Sequence, residues 1–323
     1  MGYILVKTVE IDHSIFCLEQ LPSGELVSIS GEDNTIRVWN LQSGGYLRIL
    51  QGFEWISCIQ SLPNYKLACG SYGGTVRIYD LASGECLKVL RDPFQSSISC
   101  LQLLPNGSLI SGSLDGGVLI WDLQHGNQPE IFGQMDRFLF HSVCCLHLLP
   151  NGLLVSGGSW DGTIRIWDLS NGNCLNTLNA HTSRVNFLRS LPNDKLVSGS
   201  SDGTIRIWDL QSGNSYKILQ EFSGIGGIQL ISDTRLISGS YNGIIQMLDL
   251  SSGNCLKSLQ GRGSISYLQL LPNGQLISGN CSDKTIQIWD LTEFLKTDIV
   301  DEVLVSAMAG INFVTNDFKP KPY

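Results

Sequence analysis

The chain has 323 residues, 42% of them hydrophobic, with 35 glycines, 10 prolines and 10 cysteines, enough to bury a large core in a single all-β domain. Its net charge of −8 and sequence pI near 5.1 argue against binding to nucleic acid, which needs clustered Lys and Arg against the phosphate backbone. No apolar run of 18 residues suggests membrane insertion, and the opening MGYILVKTVEIDHS lacks the basic start and long apolar core of a signal peptide.

From the first residues onward the chain reads as short strands. Ile4 to Val9 is a strand with no unit before it. A segment of the form Ile-x-Ile-Trp-Asp then recurs, its fourth position held in turn by Trp39, Tyr79, Trp121, Trp167, Trp208, Leu248 and Trp289. The spacings are 40, 42, 46, 41, 40 and 41 residues, so one unit fills nearly the whole chain seven times. The fifth unit shows its parts most clearly. Val185 to Leu188 is a first strand, ended by Leu191-Pro192-Asn193-Asp194. Leu196-Val197-Ser198 is a second, followed by the turn Ser201-Asp202-Gly203. Gly203 to Trp208 alternates with period two as a third, and Tyr216 to Leu219 is an outer fourth.

Four antiparallel strands per period of about 40 residues, repeated in a ring, describe a β-propeller. The residues resemble the WD40 family. Trp-Asp stands at 121–122, 167–168, 208–209 and 289–290, and the family's tight-turn aspartate is matched by Asp33, Asp115, Asp161, Asp202 and Asp283, with Gly73 and Asn242 in two units. The resemblance implies an all-β, seven-bladed propeller over residues 1–295, with the N-terminal strand completing the seventh blade and closing the ring. Residues 296–323 then form a tail, packed on the flank or trailing from it.

The family's Gly-His mark survives only as Ala180-His181. The resemblance therefore implies one hydrogen-bonded tetrad, made of His181, Ser200, Asp202 and Trp208, in the fifth blade. His13 and His141 lie two residues too close to their strands to be equivalents.

Cys17, Cys58, Cys100 and Cys145 share one strand position, and Cys86, Cys174 and Cys255 open outer strands. Equivalent positions in separate blades cannot pair, so the cysteines read as small hydrophobes in a reducing, cytoplasmic setting. The adjacent Cys144 and Cys145 should point to opposite faces of their strand. No Cys-x-x-Cys or His-x-x-x-His spacing suggests a metal, and none of the nucleophile-elbow, phosphate-loop or zinc-hydrolase motifs is present. The expectation is a non-enzyme without cofactor.

Departures from the repeat are where function is expected. The residue before the tight-turn aspartate, on the top face of WD40 propellers, is Glu32, Tyr72, Leu114, Trp160, Ser201, Tyr241 and Ser282. Aromatics there serve no turn. The residue before the inner-strand aliphatic is small except at Trp55 and Arg184, and the one after it is small except at Phe16. The segment from Gln124 to Arg137 is the longest insertion and brings Phe138 and Phe140 toward the rim. Trp, Tyr and Arg are the residue types of binding hot spots.

The reading is a scaffold, monomeric or a subunit of a larger complex, that binds a protein or peptide through Trp55, Tyr72, Trp160, Arg184, Tyr241, Glu32, Phe16 and Phe138. The alternative is a small molecule, sugar or lipid headgroup in the central funnel, which would need convergent polar residues at the channel mouth. Such regular blades also resemble the repeat-rich WD40 proteins of some bacteria, including intracellular ones that export proteins into a host, as well as eukaryotic scaffolds. On that resemblance the tail is where an export signal would sit.

Overall fold

The computed structural model describes residues 4–11, 15–41, 43–52, 54–124, 129–132, 142–220, 223–280 and 284–292. The expected tail at 296–323, and with it Phe138, Phe140, His13, His141 and Ser282, lies outside them. The described strands form seven four-stranded antiparallel sheets arranged as the blades of a propeller. Blade five runs Val185–Leu191, Lys195–Ser200, Thr204–Asp209 and Asn214–Gln220. Closure is as expected. Ile4–Glu10 pairs antiparallel with Thr285–Asp290, from Ile4 opposite Asp290 to Glu10 opposite Thr285.

Both faces of each blade are buried against neighbours, so the core is a set of wedges between sheets rather than one centre. At the closure, Val9, Ile11, Ile15 and Trp39 pack with Ile277 and Ile286. A glycine in the second strand of blades two to seven, most often within Ser-Gly-Ser, is what lets the wedges close. A Cβ built on Gly70 would lie 2.7 Å from Ile98 Cγ2 of the next blade, and one on Gly239 would lie 2.6 Å from Ile265 Cγ2. Glycine is required there because a neighbouring sheet occupies the space of a side chain. The recurrent cysteines use the same gap. Cys58 lies against Gly70, Cys100 against Gly112 and Cys145 against Gly157, where a small sulfur fits over bare backbone. The nine described cysteines are free thiols.

The serine one residue earlier in the strand receives the indole, in blade one as well, where Ile29 takes the glycine's place. Trp39, Trp121, Trp167, Trp208 and Trp289 donate Nε1–H to Ser28, Ser111, Ser156, Ser198 and Ser278 at 2.8–2.9 Å. This satisfies a donor that burial would otherwise strand. In blade five the chain of bonds continues from Ser198 Oγ to His181 Nε2 at 2.7 Å, and from His181 Nδ1 to Asp202 Oδ2 at 3.0 Å. The tetrad is therefore His181, Ser198, Asp202 and Trp208, and the expected Ser200 is corrected to Ser198. The two serines share a strand face, but Ser200 stands at the turn. There it accepts the Asp202 amide at 3.0 Å and donates to Ser183 O at 3.2 Å.

Blades without the histidine meet the turn carboxylate differently. Arg37 Nη2 lies 3.0 Å from Asp33 Oδ2, and Arg165 Nη2 lies 3.3 Å from Asp161 Oδ2. Burial opposes ionisation of Asp33, yet hydrogen bonds from Ser30, Thr35 and Arg37 hold it far below the usual carboxylate range. In blade two, where Gly73 replaces the aspartate, Glu54 enters from the preceding loop. It accepts Ser71 Oγ–H at 2.7 Å, Thr75 Oγ1–H at 2.8 Å and Arg77 Nη2–H at 3.3 Å. In blade six Asn242 Oδ1 takes the Ser240 hydroxyl at 2.6 Å.

His181 is buried, and desolvation, only partly offset by Asp202, lowers its pKa from 6.5 to about 4. A base depressed in the folded state takes its proton first in the unfolded chain. Its contribution is intact above pH 6.5 and is lost as pH falls toward 4. Urea unfolding should therefore show the wild type losing about 2 kcal/mol more than His181→Gln between pH 7 and pH 5. Equal losses would show that His181 is not held neutral.

Candidate functional site

At the top of the ring, the turn after each second strand is held against the residue that precedes the inner strand of the same blade. The amides of Tyr72, Leu114, Ser201 and Tyr241 donate to the carbonyls of Trp55, Ser97, Arg184 and Gly224 at 2.9–3.0 Å. In blade four it is Ser159 N that donates to Ser142 O, at 2.7 Å. The strand register explains the difference. Ile15 stands opposite Ser30, Val143 opposite Gly158 and Val185 opposite Ser200. The turns of blades one and four thus hold one residue more than that of blade five. Glu32 and Trp160 are the added residues at their tips, not the equivalents of Ser201 that the sequence alignment made them.

Trp160 is 75% exposed, Trp55 63%, Tyr72 44% and Tyr241 42%. Tyr72, Leu114, Trp160 and Arg184 come together at one funnel of about 540 Å3, floored by Ser57, Ser99 and Tyr267. Trp55 stands beside Tyr72 in blade two but does not line this funnel. Tyr241 is partly a packing residue. Its ring covers the backbone of Gly224 and Gly226, and its hydroxyl lies 3.2 Å from Asn186 Nδ2. Glu32 lies 2.6 Å from Lys284 Nζ in an exposed ion pair that joins blades one and seven. The Phe16 side chain and Phe138 lie outside the described residues.

The small residues after the inner-strand aliphatic do more than leave room. Ser57 Oγ donates to Gly70 O at 3.0 Å and also to Ile98 O of the next blade, and Ser99 does the same to Gly112 O, at 2.9 Å, and Val143 O. Asn186 Nδ2 reaches Ile225 O at 2.7 Å. A β-bulge at each of these positions turns the donor toward the neighbouring blade. The same bulge corrects the expectation for Cys144 and Cys145. Their sulfurs do not point to opposite faces, since both lie on Val185 O, at 2.9 and 3.1 Å. Contact with Cys145 and the nearby Arg184 hold the Cys144 thiol below its ordinary value, while burial pushes Cys145 up.

One level deeper, the fourth residue after the inner aliphatic is polar in every blade: Glu19, Gln60, Gln102, His147, Arg189, Gln229 and Gln269. Sequence reasoning missed this ring, although its signal was a polar residue at one fixed position in all seven units. Three members make the same bond to the next blade. Glu19 Oε1 accepts Ser61 N–H at 2.8 Å, Gln60 Oε1 accepts Leu103 N–H at 3.3 Å, and His147 Nε2 accepts Ser190 N–H at 2.9 Å. Among the described residues no cluster of three His, Cys, Asp or Glu could hold a metal, and no helix is long and apolar enough to cross a membrane.

The chain matches the family model described as "WD domain, G-beta repeat" over residues 5–40, 44–80, 84–122, 134–168, 172–209 and 253–290. The unmatched stretch holds blade six, in which Leu248 replaces the tryptophan and Asn242 the aspartate. The chain is 27% identical over 99 residues to "Small ribosomal subunit protein RACK1" of Caenorhabditis elegans, covering 30% of each chain. With the protein of that name from Drosophila melanogaster, identity is 31% over 70 residues, 22% of each. With "CCR4-associated factor 4 homolog" of Vanderwaltozyma polyspora it is 26% over 193 residues, 54% of this chain and 25% of that one. The chain spans under a third of the length of these relatives.

Packing and recognition are separable at the two most telling aromatics. Trp160→Ala should change unfolding free energy by under about 0.5 kcal/mol, whereas Tyr241→Ala, which uncovers two glycines, should cost about 1 kcal/mol or more. Chemical denaturation of both variants checks this, and a destabilised Trp160 variant would give that residue a role in the fold.

Proposed function

This chain belongs to the WD domain, G-beta repeat family, and on that footing we propose that it is a non-enzymatic scaffold that holds a protein or peptide partner at the mouth of its channel. The observation that carries this reading is Trp160. It sits on a residue added to its turn and outside the strand ladder, it is three-quarters exposed, and it shares a funnel with Tyr72 and Arg184. A turn needs small polar residues, and an exposed indole gives the turn nothing. The same indole is the preferred anchor of a protein interface. Trp55, beside Tyr72, extends the surface outward. Tyr241 and Glu32 are given minor parts, since each has a partner within the fold.

Two relatives carry the name of a small ribosomal subunit protein, which supports placing this chain in a larger assembly. The free thiols fit a reducing compartment such as the cytoplasm.

The test is a paired affinity capture from native lysate with the wild type and with Trp55, Tyr72, Trp160 and Arg184 all replaced by alanine, after circular dichroism confirms the variant's fold. A specific protein recovered only by the wild type, then binding the purified variant at least about 30-fold more weakly, is the expected result. Equal recovery by both would overturn the assignment to this face.

A further inference from the structure

The polar ring below the funnel contains one residue that cannot do the ring's work. Glu19, Gln60 and His147 each offer an acceptor to an amide of the next blade. Arg189, in blade five, has five N–H donors and no acceptor. Its hydrogen bond runs from Nη1 to Leu188 O at 2.8 Å, on its own strand, and it forms no ion pair with the described residues. Glu19, the acid of the ring, is engaged by Ser61 N and Gln60 Nε2 instead. Arg189 is therefore a half-buried cation in the channel wall without a counter-charge, and burial pulls its pKa below the ordinary value. An unpaired charge removed from water is costly, and a structural role would be served by glutamine, which stands at this position in four other blades.

The surroundings are those of an anion site. His147, in the adjacent blade, is kept neutral with a pKa of about 4, by burial and by the charge of Arg189. Its Nε2 accepts the Ser190 amide, so the ring proton resides on Nδ1, which is a donor. Tyr267 joins this level to the funnel above. Its ring lines the funnel and its hydroxyl donates to Gln269 Oε1 at 3.2 Å. The planar fork of an arginine matches a carboxylate or phosphate through two parallel hydrogen bonds.

We propose that the channel of this protein is a binding site for a small oxyanion, a phosphate or a carboxylate, held by the Arg189 guanidinium beneath the funnel. The site is independent of the partner surface at the mouth. Its occupant neutralises the one cation that the ring leaves uncompensated.

Inorganic phosphate and acetate serve as separate probes, each titrated calorimetrically and by thermal unfolding into the full chain, in chloride buffer of matched ionic strength. The expected result is saturable binding of at least one of them with a rise in melting temperature, and at least a tenfold loss of affinity in Arg189→Gln. That variant gives blade five the residue of its neighbours, so it should fold, and without anion it should melt no lower than wild type. Arg184→Ala should keep the binding, as should the fourfold alanine variant of the mouth. Phosphate binding alone would assign a phosphate ligand and acetate binding alone a carboxylate. Absence of binding by both probes, equal binding by Arg189→Gln, or loss of binding in Arg184→Ala would overturn the proposal.

Discussion

The close approach of one sheet to the next governs this molecule. A sheet buried on both faces can stack in a ring only if successive sheets touch without a gap near the axis, where the wedge is thinnest. Gly70, Gly112, Gly157 and Gly239, at one position of the second strand, make that contact possible by giving their side-chain space to Ile98, Val143, Val185 and Ile265 of the following blade. The flanking serines follow from the same geometry. One must take the indole N–H of the tryptophan that fills the wide end of the wedge, and the other must cap a turn that cannot reach solvent partners on its inner side. The repeated sentence of the sequence is a packing rule written seven times, with local replacements wherever the wedge is shaped differently.

Those replacements show which parts of the rule are chemical and which are particular to a residue. The turn carboxylate is needed as a charge at a place, not as an aspartate at a position. Asp33 is met by Arg37, Asp202 by His181, and in blade two the carboxylate comes from Glu54 on another loop. The indole acceptor is likewise constant while the histidine beyond it is not. Residues that answer no such demand stand out more sharply against this background. Trp160 and Arg189 differ in kind, one an apolar surface on a turn and the other a cation in a wall, yet each occupies a place where the frame has no use for it.

The architecture was legible because period, turn chemistry and the Trp-Asp dipeptide are all local signals, and closure by the N-terminal strand followed from a strand that lacked a unit. The tetrad serine was misplaced by two residues because Ser198 and Ser200 lie on the same strand face, and only the span of the indole distinguishes them. The equivalence of Trp160 with Ser201 failed because aligning on aspartate hides an insertion that strand register reveals. Cys144 and Cys145 were assigned by simple alternation, which a bulge suspends. Glu54 could not be read at all, since its partners lie 17 to 23 residues away and its own position carries no repeat constraint. The polar ring was readable in principle, but only by comparing one column of the repeat across every blade.

The added residue in the turns of blades one and four has a consequence for how such a protein changes. Substitution at most positions of a blade disturbs two neighbours at once, because every wedge is shared. A tip residue outside the ladder, like Trp160, is three-quarters exposed and fills no wedge. Its identity can be exchanged without renegotiating the ring, so that new specificity accumulates at the rim while the frame stays constant. A repeat that is rigid by necessity thereby acquires a few sites where variation is nearly free.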